Sequence, residues 1–248
     1  MNDTSASLAE PLSKTPSRNQ LVWDAPVRVF HWLMVISFAG AYFTAESEHW
    51  RQVHVTLGYT MAGLVAFRIF WGVAGTRYAR FVNFVRGPSA VLHYVRSMVQ
   101  GRPERHLGHN PAGAWAIMGL LALTLAVAGS GYANYASMGG EWLEEVHELL
   151  ANAMLAMVGL HVAGVLISSW LHRENLIAAM IDGRKASEPA DEKAEPVNPW
   201  SVLAALLAAV TAFWWWQYQG TLSQAAATDT QILNMSPPLK HADRDDDD

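Results

Sequence analysis

Four histidines, His31, His54, His147 and His161, stand inside or at the edge of stretches free of Lys, Arg, Asp and Glu. A neutral imidazole carries one N–H and one lone pair and is the commonest side-chain metal ligand. An unpaired polar side chain in hydrocarbon is costly, so a histidine there faces a partner, a cavity or a metal. His147 and His161 are 14 residues apart, a rise of ~21 Å that returns to nearly the same helix face. Such a helix could serve two metal cofactors stacked across a bilayer.

The elements that must position these residues follow from the charge pattern. Lys, Arg, Asp and Glu are absent from 29–45, 52–67, 107–140, 149–171 and 197–223. A spanning helix needs about 20 mainly apolar residues, so five transmembrane helices are expected, the second of them only if Arg68 lies inside it. An arginine in a span either pairs within the bundle or anchors at the membrane edge, and Arg68 is open to both readings. The loop after the second helix carries Arg77, Arg80, Arg86, Arg96, Arg102 and Arg105, whereas 132–147 holds no Lys or Arg. The positive-inside rule then makes the N-terminus cytoplasmic and puts the C-terminal tail outside. A multi-pass membrane location is expected, with lipid as a partner and no nucleic acid.

The first 20 residues are polar and hold no apolar core before a small-residue cleavage site. An ordinary signal peptide is therefore not expected, and the first helix is read as an uncleaved anchor. With no cysteine in the chain, disulfides, iron–sulfur clusters and covalently attached c-type haem are excluded. The expected organisation is a polar N-terminus over 1–20, a four-helix bundle over 21–175, a charged cytoplasmic linker over 176–198, a fifth helix over 199–219 and an acidic tail over 220–248.

Topology sets the depth of each histidine. His31 lies near the cytoplasmic start of the first helix, His54 and His147 near the external starts of the second and fourth, and His161 deeper in the fourth. A low-spin b-type haem takes two imidazoles from facing helices at similar depth. The natural pairs are His54 with His147 outside and His31 with His161 inside, the latter mismatched by ~10 Å of rise before tilt. His172 is a spare candidate for the inner site, or simply an interfacial polar residue beside Arg173. A zinc or di-iron centre fits less well, since Glu144 and His147 give one Glu-x-x-His spacing without a second copy. Gly58, Gly159 and Gly164 beside the histidines suit a flat macrocycle and equally suit tight helix packing.

The run Val27-Arg28-Val29-Phe30-His31-Trp32 is followed by His54 with Gly58 and by Gly108-His109-Asn110-Pro111-Ala112-Gly113 before the third helix. His147-Glu148 and Leu160-His161-Val162-Ala163-Gly164 complete the set. Together, over about residues 20–175, these motifs resemble the prokaryotic cytochrome b561 family, which includes the b-type cytochrome subunits of nickel–iron hydrogenases. The resemblance implies an all-α integral membrane fold, a four-helix bundle binding two b haems, and transmembrane electron transfer with quinone. It makes His31, His54, His147 and His161 the axial ligands. The fifth helix and the acidic tail lie outside it.

Around the bundle, Arg28 and Arg68 are the candidates by depth for the propionates of an inner haem, with His109 and Asn110 lining the same region or capping the third helix. Val91, Leu92, Val95, Met98 and Val99 share one face of a short amphipathic helix expected on the inner surface. Trp214, Trp215, Trp216 and Tyr218 belong to an interfacial belt, and the Asp-rich end of the chain could steer a basic external partner. The leading expectation is a dihaem cytochrome b moving electrons between the quinone pool and a redox partner such as a periplasmic c-type cytochrome. The alternatives are a haem-bearing anchor for a hydrogenase or dehydrogenase subunit, and a His-dependent metal or proton transporter.

Overall fold

A computed structural model describes residues 18–102, 104–187 and 199–235. Most of the expected polar N-terminus, the stretch 188–198 of the linker and residues 236–248 of the tail lie outside the described residues. Eight α-helices are described, with a 3-10 turn at Glu48–Trp50 leading into the second: α1 (Ala25–Thr44), α2 (Arg51–Ala74), α3 (Phe81–Phe84), α4 (Pro88–Val99), α5 (Pro111–Tyr135), α6 (Trp142–His172), α7 (Leu176–Asp182) and α8 (Trp200–Met235). A two-stranded antiparallel ribbon joins β1 (Arg18–Leu21) to β2 (Arg184–Ser187). Five helices are long and apolar enough to cross a membrane, α1, α2, α5, α6 and the part of α8 up to Ser223. This is the all-α membrane architecture expected from the charge-free stretches.

Two compact units are distinguished, Met1–Leu203 and Ala204–Asp248. In the first, α1 packs on α2, α2 on α5, and α5 on α6. The buried positions of α2, Leu57, Met61, Leu64, Val65 and Arg68, recur at helical spacing and form the stripe that meets its neighbours. In lipid the alternative neighbour is also hydrocarbon, so close van der Waals packing and internal polar pairing hold the bundle. The buried hydroxyls illustrate the second requirement: Thr60 donates to Thr56 O at 2.7 Å and Thr124 to Leu120 O at 2.8 Å. Each satisfies a group that lipid could not.

The helix entries are written in the sequence. Asp24 caps α1, its Oδ1 accepting from Val27 N at 2.8 Å, and Asn110 caps α5 by accepting from Gly113 N at 2.7 Å. Each cap precedes a proline in the first turn, where the missing N–H costs nothing.

Regular elements extend into three of the stretches expected outside the bundle. Helix α7 and strand β2 lie within 176–198, the expected linker, and β1 takes up residues 18–20 of the expected polar N-terminus. Gly183, with φ +82°, ends α7, and its carbonyl accepts from Val22 N and Trp23 N at 2.8 and 3.0 Å. A Cβ there would stand 2.5 Å from Trp23 O, so backbone sign and space both require glycine. The expected tail also begins as helix, since α8 runs on to Met235. The second unit is described by that helix alone.

Candidate functional site

At the end of the bundle away from the arginine-rich loops, His54 of α2 and His147 of α6 face each other, ring centroids 6.2 Å apart and planes at 82°. His54 Nδ1 lies 2.9 Å from Ala41 O, a carbonyl in the last turn of α1 that also accepts from Thr44 Oγ1 at 3.3 Å. His147 Nδ1 lies 3.1 Å from Val127 O and 3.0 Å from Ser130 Oγ on α5. A carbonyl only accepts, so Nδ1 of each ring must donate, and each Nε2 keeps its lone pair. Metal-binding histidines are oriented by this same second contact. Gly131 makes the approach possible, because a Cβ there would stand 2.9 Å from His147 Cε1. Beside His54, nothing lies within 4 Å of where a Cβ would stand at Gly58. The donor set, tautomers and open space fit a group held between two imidazoles.

At the arginine-rich end, His31 and His161 are close enough to interact electrostatically. Among the described residues, His31 Nδ1 is buried with no hydrogen-bond partner, an arrangement that a ligand between the helices would relieve. With α1 starting at Ala25 and α6 ending at His172, the two histidines differ in depth by about 8 Å of rise before tilt. His172, the spare candidate, is engaged elsewhere: Nδ1 is 2.9 Å from Ser168 O and Nε2 3.2 Å from Glu104 O. Both ring nitrogens face backbone carbonyls, to one of which the imidazole N–H donates. Among the described residues, no three His, Asp or Glu side chains converge as a multi-ligand metal centre requires.

The arginines have defined surroundings. Arg68 is only 3% exposed; it donates to Ala79 O at 3.1 Å and lies over the Phe81 ring at 4.7 Å. Of its two readings, the structure selects the group paired within the bundle. Arg28 Nη1 donates to Ile181 O, and Trp32 Nε1 to Met180 O at 3.3 Å, so both tie α1 to the end of α7.

Sequence reasoning missed the polar web beneath Arg68. Asp24 Oδ2 accepts from Trp71 Nε1 at 3.0 Å and Thr76 Oγ1 at 2.5 Å, in addition to capping α1. The Asp-Ala-Pro start of an apolar run was the available signal. His109 is sandwiched between Trp23 and Phe84, each ring centroid 4.3 Å away. Burial, reinforced by Arg68, Lys185 and His161, pushes His109 down to about 3, and burial also lowers His106. Both are neutral in the folded chain at pH 7. A folded-state value below the ordinary one means stability is complete above pH 6.5 and is lost as acid protonates the unfolded chain preferentially. Thermal stability in detergent is expected to fall steadily as the pH drops from 6.5 toward about 3, and less steeply in His109→Phe.

The model of the family described as prokaryotic cytochrome b561 matches residues 22–183. Among relatives, the probable Ni/Fe-hydrogenase 1 B-type cytochrome subunit of Escherichia coli (strain K12) is 27% identical over 139 residues, 46% of this chain. The chain spans 59% of that relative's length. The probable Ni/Fe-hydrogenase B-type cytochrome subunit of Rhizobium leguminosarum bv. viciae is 22% identical over 230 residues, covering 75% of this chain and 96% of the relative. That of Bradyrhizobium diazoefficiens is 22% identical over 209 residues, 66% of this chain and 85% of its own. No solved structure matches the chain.

Proposed function

Because the chain belongs to the prokaryotic cytochrome b561 family, we propose that this membrane b-type cytochrome holds two b haems and carries electrons between a quinone pool and a protein redox partner. His54 and His147 ligate one haem; His31 and His161 ligate the second, nearer the arginine-rich end. The observation that carries this reading is the facing pair His54 and His147, each with Nδ1 turned to a backbone carbonyl. When bound, haem b supplies reversible one-electron chemistry whose potential follows its ligands and surroundings.

The chain's own task is placement. α2 and α6 present two lone pairs at one depth, α1 and α5 fix their tautomers, and the bundle keeps water from the ligands. Arg28 and Arg68 are the donors proposed for the inner propionates, Arg68 from inside the bundle and Arg28 through the buried Nε that the α7 contact leaves unpaired. By the positive-inside rule the arginine-rich end faces the cytoplasm of a bacterial inner membrane and the C-terminal tail the periplasm.

The names of the relatives favour a nickel–iron hydrogenase as partner, over a c-type cytochrome. They also support the second reading, a haem-bearing anchor subunit of that enzyme. Reduced-minus-oxidised absorbance of the purified chain after adding duroquinol separates the readings. Prompt appearance of reduced b-haem bands supports exchange with quinone. Reduction only when a hydrogenase and hydrogen are supplied supports the anchor, and no haem bands at all would leave a His-dependent transporter.

Gly131→Ala places a methyl where His147 Cε1 now stands 2.9 Å away. The ring must tilt off its carbonyl, so redox titration is expected to show one of two transitions shifted or lost. Truncation after Ser187 removes none of the four histidines and spares the ribbon, so both haems are expected to stay bound; haem assay of the truncated chain checks it.

A further inference from the structure

The segment between α2 and α5 is unusual in charge and in what it exposes. From Arg77 to Arg102 it carries five arginines, Arg77, Arg80, Arg86, Arg96 and Arg102, and no Asp or Glu. It docks on the bundle through Phe84 and Tyr94, both buried, while Val82, Leu92 and Val99 are 77%, 72% and 84% exposed, with Val95 beside them. The apolar stripe of α4 therefore points away from the protein. In water it would be a penalty; at a membrane surface it is an interfacial face.

The same segment helps to line a cavity of about 210 Å³ that takes in Arg77, Asn83, Arg86, His106 and His109, with no acidic side chain in its wall among the described residues. That leaves room for a phosphate group. Its rim is built rather than frayed. Asn83 Nδ2 donates to Arg77 O at 2.6 Å, Arg86 Nη2 to Asn83 O at 3.3 Å, and Trp115 Nε1 to Arg86 O at 2.8 Å. The last bond puts the cavity level with the first turn of α5, where a tryptophan belongs in the interfacial belt. Among the described residues, His109 Nδ1 and His106 Nε2 are buried with no hydrogen-bond partner. Glu104 stands outside the lining, 3.7 Å from His106 and 3.1 Å from His93.

We propose that this cavity binds the phosphate of an anionic phospholipid, with Arg77 and Arg86 as its cationic donors and the Val82, Leu92, Val95 and Val99 stripe lying among the acyl chains. Guanidinium groups match phosphate oxygens in charge and in planar geometry. Because both histidines are neutral at pH 7, the pocket's charge comes from the arginines.

Native mass spectrometry of the full-length protein in neutral detergent tests this, with phosphatidylglycerol, phosphatidylcholine of the same chains, and inorganic phosphate as separate probes. One phosphatidylglycerol per chain should be retained in preference to phosphatidylcholine. Arg77→Gln with Arg86→Gln should weaken it about 30-fold, whereas Arg102→Gln, outside the cavity, should leave it unchanged. Unaltered reduced-minus-oxidised haem bands report that the double variant folds. If it does not, the single variants should each lose about fivefold. Equal retention of both lipids, undiminished phosphatidylglycerol in the arginine variants, or an equal loss in Arg102→Gln would overturn the proposal. So would occupancy by inorganic phosphate that phosphatidylglycerol fails to displace.

Discussion

Replacing His147 by alanine is expected to halve the haem content of the purified chain while leaving the fold intact. The imidazole is the α6 half of the facing pair, and its Nε2 is the lone pair that the site offers. Its removal costs little packing, because Ser130 Oγ still donates to Val127 O at 3.0 Å and Val127 stays in its helix. His31 and His161 lie toward the other end of the bundle, so their site should keep its occupant. Redox titration should then show a single transition where the parent shows two, and His54→Ala should give the same result from the opposite helix. Loss of both haems from a folded His147→Ala chain would mean that the two sites are not independent.

The second large effect is on stability. Asp24 is buried and gathers three donors, Val27 N, Trp71 Nε1 and Thr76 Oγ1. It also interacts electrostatically with the buried Arg68 guanidinium. Asp24→Ala removes a helix cap and leaves two buried donors unanswered, a loss of about 3–5 kcal/mol. It further strips Arg68 of its counter-charge, which a buried cation tolerates poorly. The expected fall in thermal midpoint is on the order of 10 °C. Asp24→Asn, which can still cap and accept, should fall less. A midpoint within a degree of the parent for Asp24→Ala would show that the web does not hold α1 to α2.

The spanning helices were legible because lipid demands long charge-free runs, and the four histidines stood out because few polar groups are tolerated there. The meeting of His54 with His147 followed from topology alone, as each begins a helix at the same end. Other features depend on contacts that no local pattern announces. Asp24 finds Trp71 and Thr76 across the fold, and only its capping role is written beside it. His172 looked available until Glu104 O came to its Nε2 from a loop far back in the chain. The ribbon of β1 and β2 is polar and short, so its two halves read as terminus and linker until paired. Helix α8 continues past the aromatic belt because Ala225, Ala226 and Ala227 favour helix, whereas the chain's acidic end suggested an irregular tail from residue 220. For α4 the apolar face and its outward direction were legible, but not the residue that docks it, Tyr94, which lies off that stripe.

The four histidines are proposed to form two separate bis-imidazole sites, and haem stoichiometry tests this most directly. A pyridine haemochrome assay of the purified full-length chain, set against protein mass, should give two b haems per chain with low-spin bis-histidine spectra. A ratio near one would contradict the pairing of His31 with His161, and a chain free of haem would contradict the account as a whole.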